Sequence, residues 1–236
     1  MRYKQWIFIG VLIVFLLTCG RIDLLAADTG FSTTKASSEE ATFPQNVELS
    51  LLESEPPKRT IDCFDVNGEG MVAVGCSKYE SRTVCVYTSE GHFQYGYSFK
   101  SFGAFEVELN EDILNIYFVL ENVAIVVNPL GEVLEVFEIP RTTENETYWK
   151  YLYYSTHRKT ADAEYTMKND RKFLQFFATS YSQITVKYAD GQESILYDVT
   201  AAQMAKVIGN IILFMAVFLL VVIVIVRYSI KLKQRP

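Results

Sequence analysis

The chain has few of the side chains that most enzymes use for catalysis. Its 236 residues include two histidines, His92 and His157, and neither has a nucleophile or carboxylate at a recognisable spacing. The sequence contains no phosphate-binding loop, no HExxH or GxSxG motif and no dinucleotide fingerprint. These absences predict that the chain is not an enzyme and uses no cofactor.

Cysteine and cationic side chains are scarce in the middle of the chain. This part of the chain has an odd number of cysteines, Cys63, Cys76 and Cys85, and their spacing matches no zinc-binding pattern. We therefore expect buried, unpaired thiols. Between residues 28 and 203 there are 14 Lys and Arg against 27 Asp and Glu, a net charge of −13. Because such an acidic segment repels a phosphate backbone, we do not expect nucleic acid as a partner.

Long hydrophobic runs occur only near the two ends of the chain. Residues 207–226 (VIGNIILFMAVFLLVVIVIV) contain no ionisable side chain. About 20 apolar residues, at a rise of ~1.5 Å each, cross a hydrocarbon layer of ~30 Å, so this run predicts a transmembrane helix. The tail, residues 227–236, carries four cations, whereas Lys206 is the nearest cation on the other side. The positive-inside rule therefore predicts a cytoplasmic C-terminus and an extracytoplasmic domain at the membrane.

The N-terminal run, within residues 1–27, has two readings. Arg2 and Lys4 precede a short apolar stretch, and small residues follow at Ala26 and Ala27. This order is typical of a cleaved signal peptide, which would leave a single-pass protein. An uncleaved signal anchor would make the protein two-pass. Both readings export the middle of the chain.

Between the two hydrophobic runs, the composition changes at about residue 59. Residues 28–58 are rich in Ser, Thr, Glu and Pro and predict a polar linker, in which 47–52 could pair as an edge strand. Residues 59–203 show short β-branched and aromatic runs separated by Gly, Asn and Asp. Because no helical period is long enough for a βαβ crossover, we predict an all-β, mainly antiparallel domain.

An internal repeat divides this domain into three units. Strand, glycine turn and strand recur around Gly91, Gly131 and Gly191, where a hairpin turn needs the positive φ that glycine adopts freely. Another strand pair precedes each copy, and in the third unit we expect this pair at 165–168 and 173–177. Each unit is therefore predicted to contain four antiparallel strands, which is the size of a propeller blade.

The repeated phrase xVxxxGxVxxxF, as at 123–137, resembles blades of the WD40/NHL/YVTN-like propeller group. The resemblance covers roughly residues 61–199 and implies strand order rather than activity. There is no Trp-Asp pair. Since propellers usually close with about four to eight blades, three units would be completed by a homodimer or would form a curved sheet or sandwich.

The second and third units are separated by about 20 inserted residues, mostly 141–160. This insertion is rich in aromatic residues with neighbouring cations, which suits a surface that recognises a protein or glycan; the candidate residues are Tyr148, Trp149, Tyr151, Tyr153, Tyr154 and His157. The alternative is an added hairpin, because aromatic residues are ordinary in strands. We also note that 65–70 (DVNGEG) resembles the start of a calcium loop, but a strand-connecting turn fits it better.

The sequence thus predicts an extracytoplasmic binding or structural module, for example an accessory subunit of an envelope assembly. A single-span sensor that acts through a partner helix is one alternative, since the tail after residue 226 is too short for an output domain. A glycan- or peptide-active hydrolase is the other, and it would require a cleft with two close carboxylates.

Overall fold

Three antiparallel sheets form most of the chain before residue 200 in the computed structural model, which describes residues 29–37, 40–170 and 180–233. The strands are β1 Thr34–Lys35, β2 Ser50–Leu51, β3 Ile61–Val66, β4 Val72–Lys78, β5 Ser81–Tyr87, β6 Phe93–Lys100, β7 Phe105–Asn110, β8 Ile113–Phe118, β9 Val123–Val127, β10 Val133–Glu138, β11 His157–Lys159, β12 Ala163–Lys168, β13 Gln183–Tyr188 and β14 Glu193–Asp198. The helices are α1 Phe43–Asn46, which follows a 3₁₀ turn at Glu40–Thr42, α2 Thr143–Tyr154 and α3 Thr200–Lys233.

Each sheet contains one run of four consecutive antiparallel strands. The first sheet has the order β2-β6-β5-β4-β3, the second β1-β10-β9-β8-β7 and the third β11-β12-β13-β14. The prediction of a β-rich domain with antiparallel strands is confirmed for the described residues. The three runs follow one another along the chain, as the repeat indicated.

The third sheet differs from the predicted pairing. Its edge strand is β11, which lies at the end of the insertion, and β12 pairs directly with β13. The strand expected at 173–177 lies outside the described residues. The short run His-Arg-Lys of β11 has no apolar alternation, so periodicity alone could not reveal it.

The turn glycines adopt the predicted conformation. Gly91, Gly131 and Gly191 have φ of 83°, 90° and 86°. In each turn the amide of the glycine donates to a carbonyl three residues earlier, at 2.9, 3.2 and 2.9 Å respectively. Positive φ is unfavourable for L side chains, so the repeated glycine is explained by the turn itself.

The first sheet lies between the other two, because both of its faces are buried. One face carries Cys63, Val84 and Tyr97 and packs against Val107 and Ile116 of the second sheet. The opposite face of the first sheet packs against the third sheet in a single apolar cluster. The first sheet contributes Phe64, Val74 and Cys76, and the third sheet contributes Tyr165, Ile184 and Tyr197. Successive side chains of a strand point to opposite faces of the sheet, so neighbouring residues of the first sheet enter the two apolar layers alternately.

The segment predicted as a polar linker is partly built into the domain. β1 pairs with β10, and β2 pairs with β6 as the expected edge strand. Phe31 and Val47 are buried in apolar clusters, which corrects the expectation that residues 28–58 are solvated throughout. The few apolar residues of this segment are too sparse to give a periodic signal, yet each fills a site on a sheet formed elsewhere.

Helix α3 begins directly after the last strand. Val199 and Val207 are buried, and the side chain of Gln203 donates to Ser180 O at 2.9 Å and to Asn169 Oδ1 at 3.1 Å. The part Thr200–Ile225 is long and apolar enough to cross a membrane. The predicted N-terminal hydrophobic helix, within residues 1–27, lies outside the described residues.

Candidate functional site

The aromatic insertion forms a helix, α2, and this corrects the alternative of an added hairpin. Thr142 caps the helix by accepting a hydrogen bond from Asn145 N at 3.2 Å, and Glu144 and Glu146 lie in the first turn. A capping threonine and acidic residues at the start stabilise a helix through its unpaired N–H groups and its dipole. The aromatic residues favoured a strand, but the cap and the helical spacing of the buried residues decide the structure.

One side of α2 is fixed to the second sheet. Asn145 is buried and its amide donates to Ser32 O at 2.9 Å and to Pro140 O at 2.8 Å, while its oxygen accepts from Ser32 N at 2.9 Å. Leu152 lies two turns later on the same side and is also buried. These contacts hold the helix rigidly against the sheet and the segment before it.

Two of the six predicted site residues face this packed side. The indole of Trp149 lies 4.6 Å from the ring of Phe31 and 6.0 Å from that of Tyr117, measured between centroids. The Tyr148 hydroxyl donates to the Glu108 carboxylate on β7. Both side chains are therefore used within the fold, which leaves them little surface to offer a ligand.

The other four predicted residues are exposed. Tyr151, Tyr153 and Tyr154 each have more than half of their surface accessible, and the rings of Tyr153 and Tyr154 meet edge to face with centroids 5.1 Å apart. His157 is exposed at the start of β11, 3.1 Å from the Thr166 hydroxyl. We call Tyr151, Tyr153, Tyr154 and His157 the tyrosine surface. These residues lie along the end of α2 and the chain that follows.

A carboxylate that was not among the predicted site residues joins the three sheets. Asp65 on β3 accepts a hydrogen bond from Leu109 N of β7 at 2.8 Å, and its other oxygen accepts from Arg158 Nε of β11 at 2.6 Å. Both partners in this ion pair are largely buried. Burial raises the pKa of the Asp65 carboxyl, while the Leu109 hydrogen bond and the Arg158 charge act in the opposite direction. Asp65 therefore connects the edge strands of all three sheets.

The guanidinium of Arg158 also supports the tyrosine surface. It lies 5.4 Å from the Phe64 ring centroid and 5.9 Å from that of Tyr151, in reach of cation–π attraction. Arg158 thus connects the first sheet to the exposed end of α2. The sequence showed this arginine only as one of several cations in the insertion.

Two further carboxylates lie beside this ion pair on β7. Burial raises the pKa of Glu106 to about 8; Arg158 lowers it, whereas Asp62 and Asp65 raise it further. Burial also raises the pKa of Glu108, although hydrogen bonds from the Tyr117 and Tyr148 hydroxyls oppose this. Both glutamates are buried, so the pair lies inside the protein rather than in an open cleft.

The calcium-like segment forms a turn. Asn67 Oδ1 accepts hydrogen bonds from Glu69 N at 3.0 Å and from Met71 N at 2.9 Å, and Asp65 is already bound to Arg158. Within the part of the chain that the structure describes, no group of three or more His, Cys, Asp or Glu is placed to hold a metal ion. The polar residues of 65–70 therefore stabilise the connection between β3 and β4.

The three cysteines of the domain are buried and unpaired. Cys63 lies in the layer between the first and second sheets, and Cys76 and Cys85 lie in the layer between the first and third. Burial raises the pKa of Cys76 and Cys85 to about 12. A thiol with so high a pKa is a poor nucleophile, so these residues act as small apolar core residues.

Comparison of the chain with protein-family models, with curated proteins and with solved structures finds no match.

Proposed function

We propose that the chain is a membrane-anchored, extracytoplasmic binding module that recognises a protein or glycan through its tyrosine surface. The observation that carries this proposal is the contrast between the two sides of α2. One side is locked to the sheet by Asn145, Trp149 and Leu152, while the other presents Tyr151, Tyr153 and Tyr154 to solvent. Tyrosine combines a large contact area with few rotatable bonds, so a rigid, exposed row of tyrosines favours recognition.

The location of the domain rests on the charges that flank α3. Arg227, Lys231, Lys233 and Arg235 follow the apolar run, and Lys206 precedes it. This asymmetry favours a cytoplasmic C-terminus and therefore an exported β domain. The high pKa of its buried thiols also suits an exported domain, because such thiols resist oxidation.

We further propose that the three four-stranded runs are propeller-like blades. β3 and β7 pack against each other, β3 also contacts β11, and each is the edge strand of its own sheet. Edge strands that meet in this way are the arrangement expected of inner blade strands around an axis. A second copy of the chain would complete a larger ring, and the mass of the purified protein in mild detergent would reveal such a dimer.

A photo-crosslinking amino acid at Tyr153 tests the binding role directly. In the native membrane we expect a discrete adduct from this position, and none from Leu130, an even more exposed apolar residue in the β9–β10 turn. Changing Tyr151 and Tyr154 to serine should abolish the adduct, because it removes contact area without altering the buried side of α2. Equal adducts from Tyr153 and Leu130, or an adduct that survives both serine changes, would contradict the proposal.

The sensor alternative is favoured by the junction between β14 and α3. One residue separates Asp198 from Thr200, and the Gln203 side chain donates hydrogen bonds to Asn169 and Ser180 of the domain. A displacement of the domain would therefore be transmitted to the helix rather than absorbed by a linker. A sensor of this kind would act through a partner helix, which should co-purify with α3 in mild detergent.

The hydrolase alternative is not favoured by the carboxylates. Glu106 and Glu108 are the close pair on β7, and they are buried, with Glu108 bound by the hydroxyl of Tyr148 from α2. A substrate would have to displace that helix to reach them.

A further inference from the structure

Three large apolar side chains project into solvent from three alternate connections of the first two sheets. Tyr79 lies in the β4–β5 turn and is 90% exposed, Phe102 lies in the β6–β7 loop and is 81% exposed, and Leu120 lies in the β8–β9 turn and is 63% exposed. We call these residues the tip patch. Connections of this length are ordinarily polar, so three exposed apolar side chains on neighbouring tips require an explanation.

The tip patch is held together by hydrogen bonds and packing. The Arg82 guanidinium donates to Tyr79 O and to Gly103 O, and so ties the first tip to the second. Leu120 packs over Gly103 so closely that a methyl group added at this glycine would lie 2.9 Å from the leucine side chain. The three side chains therefore form one preorganised surface rather than three independent loops.

The tip patch lies at the end of the domain from which α3 leaves. Ile61, at the start of β3, pairs with Cys76 near the end of β4 and forms two hydrogen bonds of 2.8 and 2.9 Å with Tyr181. Tyr181 lies two residues before Gln183, the first residue of β13, and Gln183 pairs with Asp198, the last residue of β14. Since α3 starts two residues after Asp198, the β4–β5 turn and the helix emerge on the same side.

The charges that act on Asp62 agree with this neighbourhood. Asp62 on β3 is exposed at its edge, yet the surrounding protein desolvates its carboxyl and raises its pKa, while a hydrogen bond from Ser77 and the charges of Arg82 and Lys206 act against that rise. Lys206 is the last charged residue before the apolar run of α3. Asp62 and Ser77 are therefore close to the level at which the span begins.

The distance from this level to the tip is sufficient to reach a bilayer. Tyr79 lies two residues beyond Ser77, or about 7 Å for a strand at ~3.3 Å per residue. In a helix at ~1.5 Å per residue the same distance corresponds to about four residues. For a strand that runs along the helix axis, Tyr79 thus lies level with Asn210, inside the apolar run.

The conformation of Tyr79 also indicates a role outside the fold. Its φ is 57°, a left-handed value that a turn normally assigns to glycine or asparagine. A bulky aromatic residue in this conformation destabilises the fold, and burial of the Tyr79 side chain does not offset the cost because the side chain is exposed. Residues in sparsely populated backbone conformations cluster at functional sites.

We propose that the tip patch inserts into the headgroup layer of the bilayer that α3 spans, so that the β domain is docked on the membrane and not merely tethered to it. Aromatic side chains favour this interface, where the ring is shielded and the tyrosine hydroxyl stays hydrated. Lys78 and Lys100 are balanced by Glu80 and Glu121 near the tips. The contact is therefore apolar and shallow, and zwitterionic lipid suffices. This contact with the membrane rests on the proposal that α3 spans the bilayer. It does not require that the tyrosine surface binds a ligand.

Tryptophan quenching in lipid nanodiscs tests this contact on the full chain. The background carries Trp6→Phe and Trp149→Phe, and single tryptophans replace Phe102 or, as the matched control, Leu130, which is 78% exposed in a turn at the opposite end. With phosphatidylcholine brominated near the top of its acyl chains, we expect the F102W emission to fall relative to unbrominated lipid, because tryptophan favours the membrane interface, and the L130W emission to stay unchanged.

Two results would overturn the proposal. F102W emission that is as red and as unquenched as that of L130W would show that the tip patch remains in water. F102W emission that is blue-shifted but unquenched would show that a protein, such as a second copy of the chain, covers it instead. A second probe, Y79W, separates loss of membrane contact from loss of folding. Adding L120D to Y79W should reduce the quenching of this tryptophan, while an unchanged near-ultraviolet circular dichroism spectrum shows that the domain is still folded.

Discussion

The buried glutamate on β7 gives a quantitative prediction about stability and pH. In the unfolded chain Glu106 releases its proton near the ordinary pKa of 4.5, whereas in the folded domain it keeps the proton up to about pH 8. The folded state therefore binds more protons than the unfolded state in this window. Stability that is present below pH 4.5 is lost progressively as the pH rises towards 8. Glu106→Gln keeps the side chain neutral and should remove this loss.

The expected size of the effect follows from the width of the window. A difference of one pKa unit corresponds to about 1.4 kcal/mol, so the rise from 4.5 to about 8 corresponds to at most about 5 kcal/mol at pH 8 and about 3 kcal/mol at pH 7. Structural relaxation and water entry reduce both values, and the charges of Asp62, Asp65 and Arg158 also act on this carboxyl. We therefore expect a gain of about 1 to 3 kcal/mol for the variant at pH 7.

Denaturant unfolding of the full chain in detergent measures this gain. With Trp6→Phe, Trp149 is the remaining tryptophan, and its packing against Phe31 and Tyr117 makes its fluorescence sensitive to unfolding. The difference in unfolding free energy between Glu106→Gln and the parent should be near zero at about pH 5 and should grow with pH. The exposed Glu121→Gln serves as control. A difference that shrinks as the pH rises, or a variant that is less stable at about pH 8, would refute the assignment.

Three further predictions concern stability and can be measured by the same unfolding assay. Asp65→Ala should lower the unfolding free energy by about 3–5 kcal/mol, because it leaves Arg158 buried without its partner. Adding Arg158→Met should restore part of that loss in a double-mutant cycle. Effects of the two substitutions that simply add would contradict the coupling. Thr142→Ala should cost about 1 kcal/mol by removing the α2 cap, whereas Thr142→Ser should be nearly neutral. Gly191→Ala should cost about 1–2 kcal/mol through its positive φ alone, since nothing lies within 4 Å of the added methyl group; an unchanged stability would show that the turn relaxes.

The sheet architecture was accessible from the sequence because its determinants are local. Hairpin turns at Gly91, Gly131 and Gly191 follow from the conformational demand of the turn, and the flanking strands follow from β-branched and aromatic alternation. The apolar run of α3 is equally local. None of these features depends on knowing which sheets pack together.

The candidate site was only partly accessible, because its geometry depends on contacts distant in sequence. Asp65 and Arg158 are 93 residues apart, and nothing in the local pattern joins them. The helix α2 was read as a surface or a hairpin because tyrosine and tryptophan favour strands, while the Thr142 cap is a weak signal. A helical spacing of Asn145, Trp149 and Leu152 was present in the sequence and was the clue that could have revealed the buried side.

Cysteine labelling in intact cells tests the proposed topology, in which α3 holds the β domain outside the cytoplasm. Leu130→Cys places an exposed thiol on the domain, Gln234→Cys places one in the tail, and Cys63, Cys76 and Cys85 are buried and should stay unlabelled. With a membrane-impermeant maleimide, the account predicts that Leu130→Cys is labelled in intact cells and that Gln234→Cys is labelled only after permeabilisation. The reverse pattern would contradict it.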